Sequence, residues 1–90
     1  MEKHPALVAL GEQIRQIRQR KGISQEDFAA LAGLSRAYYG SVERGERNVA
    51  TLNLMRIARA LQVEAGQLFP ASRTWSPLLD GDSSLTETGD

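Results

Sequence analysis

The chain has no cysteine, one histidine and only five aromatic residues among its 90: Trp75, Phe28, Phe69, Tyr38 and Tyr39. Without cysteine there is no disulfide framework and no thiolate metal site. His4 is alone, beside Pro5 near a terminus. It has no second imidazole to share a zinc ion with, and it is expected in solvent. An enzyme centre lacks its parts as well. There is no second histidine, no thiol nucleophile, no phosphate-cradling glycine loop and no clustered carboxylates outside the C-terminal stretch. Neither catalysis nor a cofactor is expected. No apolar run approaches the ~20 residues of a membrane span, and the Leu7–Leu10 patch is too short for a signal peptide. The expected setting is the cytoplasm, with no membrane partner.

Excess charge of one sign is also missing, since eleven basic residues balance eleven acidic ones. The balance is uneven along the chain. Residues 1–73 hold every Lys and Arg and sum to +4, whereas residues 74–90 hold Asp80, Asp82, Glu87 and Asp90 and sum to −4. A mildly basic domain can hold nucleic acid when its charge is localised. The whole-chain balance alone describes an ordinary soluble protein with an acidic tail. A chain of this length makes one small domain with a thin core, which a partner subunit would help to stabilise.

What is present concentrates in Ser24–Gly45, SQEDFAALAGLSRAYYGSVERG. Two short helical patterns flank Gly33, which can take positive φ at little cost at a bend. Ala29 is small where two helices would cross closely. Phe28, Ala32, Leu34, Tyr39 and Val42 fall on inward positions. Gln25, Glu26, Arg36, Ser41 and Arg44 fall between them. Two helices meeting steeply over a tight turn need this combination. The second helix then projects its other face outward, and a helix fits the DNA major groove, where base edges carry a distinct donor and acceptor pattern.

The segments RQIRQRKGISQEDFAALAGLS, SVERGERN, LMRIARALQV and QLF, between about Leu10 and Phe69, resemble the Cro-like helix-turn-helix family of phage repressors and xenobiotic-response-element regulators. Arg-Ala-Tyr-Tyr followed by Val-Glu-Arg-Gly-x-Arg-Asn is most similar to the controller proteins of restriction–modification systems. The resemblance implies an all-α, compact, five-helix lambda-repressor-like domain over residues 6–70, with the helix-turn-helix at helices 2 and 3. Residues 1–5 are then a flexible start and residues 71–90 an acidic, largely disordered tail.

Helix 1 is expected over Ala6–Lys21, with Leu7, Leu10, Ile14 and Ile17 as one apolar stripe. Gly11 weakens its early part and Gly22 stops it. Arg15, Arg18, Arg20 and Lys21 crowd its end, either as a solvated face or toward phosphates. By resemblance, Arg18 pairs with Glu43 and locks helix 1 onto helix 3. Ser24 caps helix 2, and Gln25 would reach a phosphate. Ser35 caps helix 3 over residues 35–44 and is counted with the DNA-facing residues. Arg36 is the candidate for direct readout, because arginine can donate two parallel hydrogen bonds to guanine. Ala37 offers a methyl suited to thymine, and Ser41 a hydroxyl for a base edge or a phosphate. Tyr38 and Tyr39 point about 100° apart, so Tyr39 is taken as core. Tyr38 either faces DNA or packs on helix 2 or a neighbour. Gly40 replaces the family's usual polar residue, for close approach or by tolerance.

By resemblance, Arg44 and Asn48 hold the loop and the DNA backbone, and Arg47 reaches the groove or a phosphate. Val49 and Ala50 stand where the family often has proline and serine, so Asn48 or Thr51 is expected to cap helix 4 over Thr51–Leu61. Leu54, Ile57, Ala58 and Leu61 form its core stripe. Leu52 and Met55 lie on another face, as half-buried packing or as a dimer face. A last short helix over Val63–Phe69 has Leu68 and Phe69 closing the core. Trp75, Pro77, Leu78 and Leu79 either fold back or touch a partner.

The function expected is a sequence-specific DNA-binding transcriptional regulator, a homodimer on a palindromic operator of double-stranded DNA. The second reading is an antitoxin-like interaction module whose C-terminal tail holds a protein partner.

Overall fold

The computed structural model describes residues 3–80. Four α-helices come first: α1 (Pro5–Arg20), α2 (Gln25–Ala32), α3 (Arg36–Glu43) and α4 (Thr51–Leu61). A 3-10 turn (Ala65–Leu68), a one-turn helix α5 (Ser72–Trp75) and a second 3-10 turn (Ser76–Leu79) follow. No strand occurs among the described residues.

The helix ends follow from local chemistry. Ser24 Oγ accepts from the Asp27 N–H at 3.0 Å and starts α2, while Ser35 Oγ accepts from the Tyr38 N–H at 3.1 Å and starts α3. Gly33 closes α2 in the left-handed region at φ 74°, and the Leu34 N–H returns to the Ala29 carbonyl at 2.9 Å. The core runs through Ile14, Phe28, Tyr39, Ile57, Leu61 and Leu68, all fully buried. The Phe28 and Tyr39 rings pack tilted, with centroids 5.0 Å apart. Ala29 is buried, and α2 packs against both α3 and α4.

Two glycines hold α1 close to α3. A Cβ on Gly11 would lie 2.4 Å from the Val42 carbonyl oxygen and 2.5 Å from that of Glu43, so the helices cross backbone to backbone there. Gly45 ends α3 at φ 77°, and a Cβ on it would lie 2.6 Å from Val8 Cα.

Several expectations change. α1 begins at Pro5, capped by His4, whose Nδ1 accepts from the Ala6 N–H at 3.0 Å, so these two residues belong to the helix and not to a frayed start. Neither Asn48 nor Thr51 caps α4: Ala50 occupies that position without a side-chain bond, and Val49 joins the core. Leu68 closes the core, but Phe69 is 44% exposed. The 3-10 turn beneath it is short, and the chain leaves at Phe69 in extended backbone. The Trp75 segment folds back onto α1, and its indole N–H donates to the Pro70 carbonyl at 3.0 Å. The folded unit therefore continues past residue 70 to Leu79. The acidic residues Asp82, Glu87 and Asp90, read as part of a disordered tail, lie outside the described residues.

Candidate nucleic-acid interface

The base of α3 is fixed by a buried polar cluster. Arg18 donates to Glu43 twice, Nε to Oε2 at 2.6 Å and Nη2 to Oε1 at 3.1 Å. Its Nη1 donates to the Ile23 carbonyl at 2.7 Å. The Tyr39 hydroxyl donates to Glu43 Oε2, and Gln25 Nε2 donates to Oε1 at 2.9 Å. Burial pushes the Glu43 carboxyl up, but the bonds from Arg18, Tyr39 and Gln25 outweigh it and hold the group below the usual glutamate range. Burial, reinforced by Glu43, pushes the Tyr39 phenol well above its ordinary value, so it stays a neutral donor. One carboxylate thus joins α1, α2 and the C-terminal end of α3, and no described buried side-chain polar atom lacks a partner. The pairing of Arg18 with Glu43 is as the resemblance implied.

With its lower end tied, α3 presents Arg36 and Ala37 in solvent beside the cap residue Ser35. Arg44, Arg47 and Asn48 are exposed just beyond. A shallow groove of about 480 Å³ runs between Ala37, Ser41, Arg44, Glu46 and Arg47. Arg44 Nε donates to Glu46 Oε2 at 3.1 Å, and this bond holds the Glu46 carboxyl below its usual range. Gln25 stands at the edge of the same face. Its side-chain Oε1 lies 3.5 Å from where a Gly40 Cβ would be, and Arg44 Nη1 lies at 3.1 Å. Gly40 is buried under these two side chains, the close approach that was one of its two readings.

Ser41 departs from the expected arrangement, and Tyr38 takes the packed one of its two alternatives. Ser41 is only 6% exposed, not outward. The loop after α3 turns back over it: the Glu46 N–H donates to the Ser41 carbonyl at 2.9 Å, and Arg47 Nε donates to Ser41 Oγ at 3.1 Å. Ser41 Oγ in turn donates to the Tyr38 carbonyl at 2.6 Å. Tyr38 is half-buried, with its hydroxyl accepting from Asn53 Nδ2 of α4 at 3.1 Å and its ring 5.3 Å below the Arg47 guanidinium. It packs on a neighbour, and that neighbour is α4. Asn53 carries no motif that would single it out in sequence. Of the helix 1 cations, Arg15 is held by Glu12 at 2.6 Å, and Arg20 is exposed.

A capped, bent α2–α3 pair packed against α1 and α4, with an exposed first turn on α3, defines a helix-turn-helix domain. The chain belongs to the HTH_3 helix-turn-helix family of DNA-binding transcriptional regulators of the Cro-like type, whose pattern it matches over residues 14–68. It is similar to control protein C.MunI from Mycoplasma sp., 40% identical over 63 residues that span 69% of this chain and 85% of that protein. Among solved structures it resembles the restriction–modification controller protein C.AhdI from Aeromonas hydrophila, with TM-score 0.69 and 49% identity over 70% of this chain and 96% of that one. It also resembles SinR, solved in complex with DNA, with TM-score 0.63 and 32% identity over 66% of this chain and 95% of that one. No helix among the described residues is long and apolar enough to cross a membrane.

Proposed function

We propose that this chain is a cytoplasmic, sequence-specific transcriptional regulator that binds a palindromic operator as a homodimer, with α3 in the major groove. The observation that carries this reading is the contrast along α3. Its last residue, Glu43, is buried in the Arg18–Tyr39–Gln25 cluster, while Arg36 and Ala37 at its start are free in solvent. In this reading Arg36 and Ala37 read base edges. Gln25, Ser35, Tyr38, Arg44, Arg47 and Asn48 serve the backbone and the groove wall. Ser41, enclosed by the loop, contributes by holding Arg47. The similarity to controller proteins and to a DNA-bound regulator supports the same reading.

Dimerisation is assigned to the outer face of α4, where Leu52 is 64% and Met55 56% exposed beside Arg56 and Arg59. One short helix reads only a few base pairs, so a two-fold pair would read half-sites about 34 Å apart. The test is selection of bound duplexes from a random pool, followed by competition with matched and scrambled duplexes. Arg36→Ala is expected to lose about 1–3 kcal/mol on the matched duplex and little on the scrambled one. Equal losses on both would remove Arg36 as a reader. Failure of the unaltered chain to retain any duplex at low salt would end the DNA-binding reading.

A further inference from the structure

The α4 face that carries Leu52 and Met55 is joined to the proposed DNA face by a continuous run of side chains. Arg56 Nη1 donates to Asn53 Oδ1 at 2.7 Å. Asn53 Nδ2 donates to the Tyr38 hydroxyl oxygen at 3.1 Å. The Tyr38 ring lies beneath the Arg47 guanidinium at 5.3 Å, and Arg47 Nε is fixed a second time by Ser41 Oγ at 3.1 Å. Arg56 fixes which way the Asn53 amide faces. The guanidinium can only donate, so Oδ1 must meet Arg56 and Nδ2 must meet Tyr38. The Tyr38 hydroxyl, accepting from Asn53, keeps its own proton to donate elsewhere, and a hydroxyl that accepts one hydrogen bond donates the next more strongly.

The chemistry of Arg47 explains why this matters for binding. An exposed arginine carries many rotamers, and freezing them on contact with a phosphate weakens the contact. Arg47 is exposed yet already seated, on a ring and on a hydroxyl. The ring is held in place from α4. Resting on the DNA-binding reading above, we propose that Asn53 is a positioning residue for DNA binding: it sets Tyr38, and through Tyr38 it pre-orients Arg47. Asn53 also lies next in sequence to Leu52, so the arginine is set from the same helix that is assigned to pairing of two copies.

The experiment is a double-mutant cycle on the full chain, using the duplex selected from the random pool. Asn53→Ala, Arg47→Ala and the double variant are titrated by fluorescence anisotropy over a range of salt concentrations, and each is checked by thermal melting. Asn53→Ala is expected to weaken binding about threefold to tenfold, the scale of ordering one rotamer-rich side chain. Arg47→Ala is expected to weaken it at least as much and to flatten the salt dependence by about one phosphate contact. The double variant should bind like Arg47→Ala alone, because Asn53 has nothing left to position. A purely structural Asn53 would give losses that multiply, and that result overturns the proposal. Tyr38→Phe removes the same bond from the other side. In that background Asn53→Ala should be silent, so the cycle stays readable even if Asn53→Ala melts too low. Loss of duplex binding in the unaltered chain would instead refute the DNA-binding reading, and additive losses in a chain that binds refute only the positioning role.

Discussion

Replacing Gly11 with alanine should destabilise the chain, against the sign that helix propensity gives. Inside a helix, alanine is normally better than glycine by about 0.5–1 kcal/mol. Here a Cβ would stand 2.4 Å from the Val42 carbonyl oxygen and 2.5 Å from that of Glu43. Carbon and oxygen in even close contacts rest about 3.3 Å apart, so α1 would have to withdraw from α3 by roughly 0.9 Å. Both oxygens belong to the backbone of α3 and cannot swing aside. The same withdrawal pulls Arg18 away from Glu43, whose bonds cross the same contact. Overpacking of this kind costs about 1–3 kcal/mol, occasionally more. After the helix gain is subtracted, a net loss of up to about 2.5 kcal/mol remains, or a melting point lower by up to roughly 20 °C in a domain of this size. Gly40→Ala is the matching control. Its Cβ would meet only the far ends of Arg44 and Gln25, at 3.1 and 3.5 Å, which can move. There the helix gain should prevail, with stability unchanged or raised by up to about 1 kcal/mol. Urea and thermal melts followed by far-UV circular dichroism decide between the signs. A Gly11→Ala chain that melts at or above the unaltered one would refute the close backbone crossing of α1 and α3.

Other consequences can be measured in the same way. Arg18→Met should cost about 3–5 kcal/mol in urea denaturation, because it leaves the Glu43 carboxylate buried without its cation. Stability should also depend on pH through this pair. Glu43 in the folded chain is held below the ordinary value of 4.5, so its contribution is complete above that pH and is lost as pH falls through the lower folded value. The stability gap between the unaltered chain and Glu43→Gln should therefore narrow in acid, and a gap that stays constant would show that the carboxylate charge is not what stabilises the cluster. Tyr39 has the opposite sign. Its phenol is raised above the ordinary 10.0, so its contribution is intact below that value and is lost only as pH climbs beyond it. Gln62→Gly should stabilise by about 0.5–1 kcal/mol, since Gln62 ends α4 at φ 61°, in the left-handed region where glycine carries no Cβ strain.

Features written in local chemistry could be read from the sequence, and features made by chain segments meeting could not. Ser24, Ser35 and Gly33 act within four residues of themselves, and each occupies the cap or bend that its type predicts. The stripes Leu7–Leu10–Ile14–Ile17 and Leu54–Ile57–Ala58–Leu61 are set by helical period, and all but the half-buried Leu7 and Leu54 are buried. The Arg18–Glu43 bond spans 25 residues and came from family resemblance, not from spacing. Ser41 is buried and not outward because the loop from Glu46 to Arg47 folds back over it, which angular position on α3 cannot show. Gly11 looked like a flaw in α1, since only the opposite backbone of α3 gives it a purpose. Asn53 cannot be singled out for the same reason: a half-buried asparagine on α4 acquires a role only once Tyr38 is seen to lie beneath it.

This division also separates what holds α3 from what α3 offers. An eight-residue helix is about 12 Å long and bends little, so its two ends lie far enough apart to carry separate tasks. Glu43 supplies the anchor in the interior, and Arg36 stands at the other end, where it carries none of that load. Substitutions in the Arg18–Glu43–Tyr39 cluster should therefore change duplex affinity only in proportion to the fraction unfolded, and affinity corrected for that fraction should stay near that of the unaltered chain. Arg36 substitutions should do the reverse, changing affinity and sequence preference while leaving the melting curve in place. A folded Arg18→Met chain that binds its operator poorly at temperatures far below its melting point would mean that the cluster sets the angle of α3 and not merely its stability.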